Sequence, residues 1–256
     1  MTFLDTLFSQ IDLFILILLR ISGYVLASPI WGRQEVQKIF KVCFCIYFAY
    51  IMILTGKAQL VTPTIGIGQF FLVCILETFK GVLVGYISSI FFSIFLIAGQ
   101  IIDMHIGFQM GGILDRNYGV KVSQTAKLLN ITSLIVFLRL NGHLQLIKIM
   151  SNSYTVNQIG SGINFDSLYN IVVSSFSFAV VIALKIALPV ILIVLFVNVI
   201  LGTLVKFVPQ LNIFAVGIPL KIVVGLFSII FLIEPFIKYL DFIFNHLFDV
   251  LTQLYT

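Results

Sequence analysis

Seven ionisable side chains lie inside apolar runs of this chain: Arg20, Glu77, Lys80, Arg139, Lys185, Lys221 and Glu234. A charge in such a setting is costly, and it marks an ion pathway, a pairing partner or a subunit contact. Glu77 and Lys80 stand at i, i+3, where they can neutralise each other on one helix face, and this pair reads as structural. The other five have no partner at helical spacing, which leaves them to snorkel, to pair across helices or to meet other subunits. A proton relay would need an embedded carboxylate without a local cation, and Glu234 and Asp103 fit that description. The residues offer no other chemistry. His105, His143 and His246 are far apart, and none has a metal-ligand partner at i+3 or i+4. There is no nucleophile elbow, phosphate-binding loop or dinucleotide fingerprint. Cys43, Cys45 and Cys74 lack the spacing of a zinc site and do not form a disulfide framework. The reading is non-enzymatic, with no cofactor and no metal.

A second feature is the stretch "GQIIDMHIGFQMGGILD", Gly99–Asp115. Gly107, Gly111 and Gly112 weaken any helix running through it, so regular structure is expected to break there. Irregular backbone at membrane depth is tolerated only when buried in protein or lining a cavity. Phe108, Met110 and Ile113 would seal such a site, and flexible methionine can yield when pushed. Gln109 would be a polar tether. Residue types alone also allow a buried kink packed against a neighbour.

The elements that must carry these residues are apolar. Of 256 residues, 60% are hydrophobic and 10% charged, and the mean hydropathy is +1.15. A soluble domain is about 45–50% apolar and about 25% charged, so this chain belongs with integral membrane proteins. The net charge of +5 comes from scattered basic residues and does not point to nucleic acid. Asp5 and Asp12 precede the first apolar run where a signal peptide would carry positive charge, so that run is expected to be retained. Six apolar zones, about as many as crossings of roughly 20 residues would need, cover 13–31, 39–54, 65–102, 128–140, 171–205 and 214–240. The third and fifth are too long for one simple crossing and must be tilted, broken or extended beyond the bilayer. The spacing of Gly81 and Gly85, and of Gly107 and Gly111, permits close helix approach.

With six crossings, the loops around 32–41, 103–127 and 206–212 share one side and hold seven lysines and arginines, Arg33, Lys38 and Lys41 among them, against Lys57, Lys148 and Lys238 on the side of the termini. The positive-inside rule places that side in the cytoplasm and both termini outside. The polar stretch 151–168, rich in Ser, Asn and Gly, reads as a linker after a loop that begins near 141. It separates an N-terminal part, 1–165, from a C-terminal helical hairpin, 166–256. The hairpin turns at "KFVPQLN", where Pro209 stops a helix and Gln210 and Asn212 can bond freed backbone groups.

Several blocks then give a resemblance over nearly the whole chain: "LLRISGYVLASPIWGR" (18–33), "ETFKGVLVGY" (77–86), "GQIIDMHIGFQMG" (99–111), "NGHLQLI" (141–147) and the long block 183–225. On these the chain resembles the FliR family of flagellar biosynthesis proteins and its injectisome counterpart SctT, membrane components of the type III export gate. The resemblance implies an all-α integral membrane subunit, a FliP-like part fused to a FliQ-like hairpin. It implies a place in the bacterial inner membrane, at a flagellar basal body or injectisome base, assembled with FliP-like and FliQ-like subunits. FlhB-like and FlhA-like components and unfolded export substrates would be further partners. It assigns Ile106–Asp115 to the plug that closes the pore, with Ile106, Gly107, Phe108, Gln109, Met110, Gly111, Gly112 and Ile113 as its core. Two features depart from the family pattern. Asp115 is followed by Arg116 where the family commonly has proline, and "EVQKIFK" (35–41) lacks the proline usual before the basic loop. The competing class is a stand-alone secondary transporter of small solutes or ions. That class favours a pseudo-repeat of broken helices, and no convincing repeat relates the halves.

Overall fold

A computed structural model of the chain describes residues 3–56, 58, 67–108, 123–162, 164–208 and 213–254. Among the described residues there are seven helices: α1 (Phe3–Ala27), α2 (Lys38–Leu54), α3 (Ile67–Ile106), α4 (Gln124–Arg139), α5 (Gly142–Val156), α6 (Phe165–Phe207) and α7 (Ile213–Gln253). The chain is all-α, as the resemblance implies, and its long apolar helices fit the integral membrane class expected from composition. Four helices, α1, α3, α6 and α7, are long and apolar enough to cross a bilayer, and α4 with α5 forms a fifth candidate bent by 67°. At 40, 43 and 41 residues, α3, α6 and α7 are each about 60 Å long, twice the hydrocarbon thickness. Among the described residues that makes four or five candidate spans beside the six apolar zones, because α2 has 17 residues and α4 has 16.

The main correction lies at 141–156, expected as the start of an outside loop. Asn141 adopts the left-handed conformation (φ 55°) that asparagine tolerates better than most residues, and its carbonyl accepts from the backbone N–H of Leu144 and Gln145. This elbow starts α5, whose Leu146, Met150 and Tyr154, four residues apart, are buried on one face. Ser153 is buried beside them, while Asn152 and Thr155 are exposed, so the composition reads as linker although the apolar period is helical. The true connection between α5 and α6 shrinks to 157–164. The first apolar zone likewise ends earlier than expected, at Ala27, two residues before Pro29, which disfavours helical backbone in the residue preceding it.

The chain forms two compact units. The first comprises Met1–Phe91, Asn141–Ser175 and Asn245–Thr256, and the second Phe92–Leu140 and Phe176–Phe244. In the first, α1 and α3 meet backbone to backbone. A Cβ on Gly81 would collide with the carbonyl of Arg20, one on Gly23 with the carbonyl of Thr78, and one on Gly85 would come within 2.7 Å of Ala27 Cβ. The pair Gly81–Gly85 therefore serves the close approach that its spacing permits. Leu16, Ile17, Ile21, Ile87, Phe91, Leu247 and Leu251 fill this core. Beyond α1, Trp31 stacks on Phe44 of α2 with ring centroids 4.8 Å apart.

The core of the second unit is aromatic. Phe137 meets Phe244 at 5.0 Å and Phe92 at 5.4 Å, and Phe95 touches Phe244 and Phe236, each at 6.0 Å, mostly in the tilted or edge-on arrangements that ring quadrupoles favour. Gly99 lets α3 rest on the backbone of Ala126 at the start of α4. Pro189 in α6 and Pro235 in α7 each remove one helical hydrogen bond, and both border a mainly apolar cavity of about 390 Å³.

Candidate functional site

The expected plug begins where α3 ends. Gly107 has φ +92°, open to glycine and strained for other residues, and nothing occupies the space a Cβ would take there. The N–H groups of Gly107 and Phe108 both donate to the carbonyl of Asp103, at 3.0 and 3.1 Å, closing off the helix. The helix therefore stops at the expected glycine break. Ile106 is fully buried against α7, where a Cβ on Gly225 would lie 2.5 Å from Ile106 Cδ1. Phe108 is half-buried. Gln109, Met110, Gly111, Gly112 and Ile113 lie outside the described residues, as do Asp115 and Arg116.

Where the description resumes, the chain returns to the same carboxylate. Ser123 caps α4 by accepting from the N–H of Ala126 at 3.1 Å, and its hydroxyl donates to Asp103 Oδ2 at 2.5 Å. The Thr125 N–H donates to Oδ2 at 3.1 Å, and its hydroxyl donates to Oδ1. Asp103 is wholly buried, and the N-terminus of α4 supplies the polarity that makes a buried carboxylate tolerable. A side chain that sequence pattern offered as a proton-relay candidate thus ties the two ends of segment 107–122 together.

In the first unit, the two charges of α3 have acquired a third. Arg20 of α1 approaches Glu77 at 2.5 Å, and both are wholly buried. Lys80 Nζ bonds Glu77 Oε1 at 3.0 Å, as the i, i+3 spacing suggested, and donates to Ser161 Oγ at 3.1 Å. The N–H of Gly160 also donates to Oε1, at 3.1 Å. The remaining guanidinium donors of Arg20 reach the Ser153 and Asn157 carbonyls, and its plane lies 4.5 Å from the centre of the Tyr154 ring. Arg20 is therefore not without a partner; it pairs across helices. Ser153, Asn157, Gly160 and Ser161 were not anticipated, because their role depends on α5 and the turn after it.

The other expected residues are dispersed. Glu234 has a local partner after all, Lys238 at i+4 and 2.8 Å, and both side chains are about three-quarters exposed. Lys185 is exposed and borders the cavity at the proline positions, Lys221 is half-buried, and Arg139 is exposed at the end of α4. Arg33 Nε donates to the Pro29 carbonyl at 2.9 Å and Lys41 Nζ to the Arg33 carbonyl at 2.8 Å, so two members of the basic loop shape the loop itself, while Lys38 is exposed. Pro209, Gln210 and Asn212 lie outside the described residues. Among the described residues, no three His, Cys, Asp or Glu side chains gather as metal ligands.

Residues 11–247 match the model of the family described as bacterial export proteins, family 1. The chain is 28% identical over 229 residues to the flagellar biosynthetic protein FliR of Bacillus subtilis, covering 87% of each chain. It is 26% identical to FliR of Escherichia coli, over 96% of this chain and 95% of that one. It is also 26% identical to the surface presentation of antigens protein SpaR of Shigella flexneri, over 87% of each. The match spans both the buried charge cluster and the Asp103 tie, and by it the chain belongs to bacterial export proteins, family 1, the FliR/SctT family of type III export components.

Proposed function

We propose that the chain is a structural, pore-forming and gating subunit of the type III export gate. It assembles with FliP-like and FliQ-like subunits in the bacterial inner membrane, works beside FlhB-like and FlhA-like components, and passes unfolded substrates without catalysing a reaction. Segment 1–165 is the FliP-like part and 166–256 the FliQ-like hairpin. The glycine-flexible apolar segment Gly107–Ile113 closes the pore. The observation that carries this reading is the Asp103 tie: a closing loop must move at its tip and hold at its base, and one buried carboxylate grips the chain on both sides of the segment. The long exposed apolar faces of α6 and α7, Phe196, Phe227 and Phe231 among them, suit lipid or neighbouring helices. Lys185, Lys221 and the Glu234–Lys238 pair serve subunit contacts there, with Arg33, Lys38 and Lys41 facing the cytoplasm.

The test is ion conductance of the assembled gate. Shortening the segment, or changing Phe108 and Met110 to glycine, makes membranes containing the gate leak. Unchanged conductance with normal export rejects the plug. Charge reversal at Lys185 or Lys221 lowers recovery of the co-expressed complex; normal assembly with failed transport would move those residues to gating. A chain that purifies alone and transports a solute by itself would favour the secondary transporter.

A further inference from the structure

We propose that the cavity beside Lys80 receives a carboxylate, carried by an acidic side chain of a neighbouring polypeptide. The cavity measures about 220 Å³ and is lined on its polar side by Lys80, Asn157, Asn164, Ser167 and Gln253. The charge count calls for an anion. Arg20 and Lys80 contribute two positive charges and Glu77 one negative, which leaves an excess of one. Glu77 already accepts from Arg20, Lys80 and Gly160, so it has little capacity left. Among the described residues, no second carboxylate bonds either cation. The Arg20 donors are committed to Glu77, Ser153 and Asn157, whereas Lys80 has three donors and two partners, Glu77 and Ser161. Lys80 is only 6% exposed, and the side on which it is accessible is this cavity. An uncompensated charge so buried is strongly unfavourable, and an anion at the third donor removes that cost.

Two further features select the class of anion. The first turn of α6 borders the cavity through Ser167 and Leu168, but it carries its own Asp166 and the Ser167 N–H already donates to Asn164 Oδ1 at 3.3 Å, so the pull on the anion is that of Lys80. The excess is a single charge, which a monoanion balances and a doubly charged phosphate would overshoot. Leu83, Val84, Leu168 and Ile171 form apolar walls, which suit the methylene stem of an aspartate or glutamate better than a bare inorganic ion. The anion site stands on this geometry alone; only the carrier rests on the assembly reading above.

The test uses the full chain in detergent, alone and as the complex captured through a tag on it, with acetate as the probe for the chain alone. Acetate is expected to raise the melting temperature saturably, beyond the effect of equal chloride. Ser167→Leu fills the cavity from its rim without touching the Arg20–Glu77–Lys80 cluster. It is expected to abolish the acetate response and to lower recovery of the neighbouring subunits by about tenfold or more, as when an interfacial charge pair loses one side. Lys80→Met should act the same way, and Lys80→Arg should restore recovery in part. If Ser167→Leu removes the acetate response but leaves recovery unchanged, the site takes a free carboxylate and the carrier assignment is overturned. If no subunit co-purifies with the unaltered chain, the assembly reading fails, and the acetate response still decides the pocket. No acetate response, with unchanged recovery in both variants, overturns the site itself.

Discussion

Asp103 Oδ2 lies 2.5 Å from the Ser123 hydroxyl, and this contact joins the last turn of α3 to the cap of α4 across the segment assigned to the pore seal. The two residues act as one unit with Thr125. Asp103→Asn keeps the shape but turns one acceptor oxygen into a donor facing donors. The expected cost is about 1.5–3 kcal/mol, the range for hydrogen bonds to a charged group. Thermal unfolding of the purified chain measures it. In a double-mutant cycle with Ser123→Ala the double variant should lose less stability than the two single variants summed. Full additivity would mean that the two side chains do not work together.

Gly225 makes a second prediction about the same helix end. Gly225→Val places a methyl group where Ile106 now packs, and the expected destabilisation is about 1–3 kcal/mol, as for other overpacked cores. Ile106→Ala should relieve part of it. If the loop base controls closure, Gly225→Val also raises ion leak through the assembled gate, and the second substitution lowers it again.

The three-charge cluster predicts an order of damage. Arg20→Met leaves Glu77 balanced by Lys80, although the Ser153 and Asn157 carbonyls lose their donor. Glu77→Gln leaves two buried cations facing each other. Breaking a buried pair costs about 3–5 kcal/mol, and Glu77→Gln should fall at or above that range with Arg20→Met below it. Yield and melting temperature in detergent rank the variants, and the reverse ranking would contradict the charge count.

Gly81→Val should abolish folding of the first unit, because the added group meets the Arg20 carbonyl and cannot turn away. Gly68 lies on the same helix with open space around it, so Gly68→Ala should be silent or slightly stabilising. Protease resistance in membranes separates the two.

What the sequence disclosed was local or periodic. Glu77 with Lys80, the break at Gly107 and the close approach at Gly81 and Gly85 all follow from spacing within one helix. Arg20 with Glu77 did not, since 57 residues separate them and no local rule pairs them. The available hint was Arg20 itself, a charge in the first apolar zone with no partner at helical spacing. Glu234 with Lys238 was equally legible, at i, i+4 on one helix. Asp103 suggested proton chemistry because its partners are a serine and a threonine, residues that carry no charge to signal the pairing. Helix α5 was hidden by polar composition, and its core-facing residues fall on a helical period that a count of polar residues does not register.

The bond between Arg20 and Glu77 also bears on how the protein is made. A lone charged side chain at the middle of an inserting helix costs about 2.5–3.5 kcal/mol, and α3 brings Glu77 and Lys80 together. The positive partner on α1 leaves the ribosome first. Synthesis therefore offers Arg20 before Glu77 arrives, and α3 can enter the bilayer against a helix already waiting for it. A chain rearranged so that α1 is synthesised last would have the same contacts in the finished protein but would lack this order of entry. It should insert poorly for that reason alone.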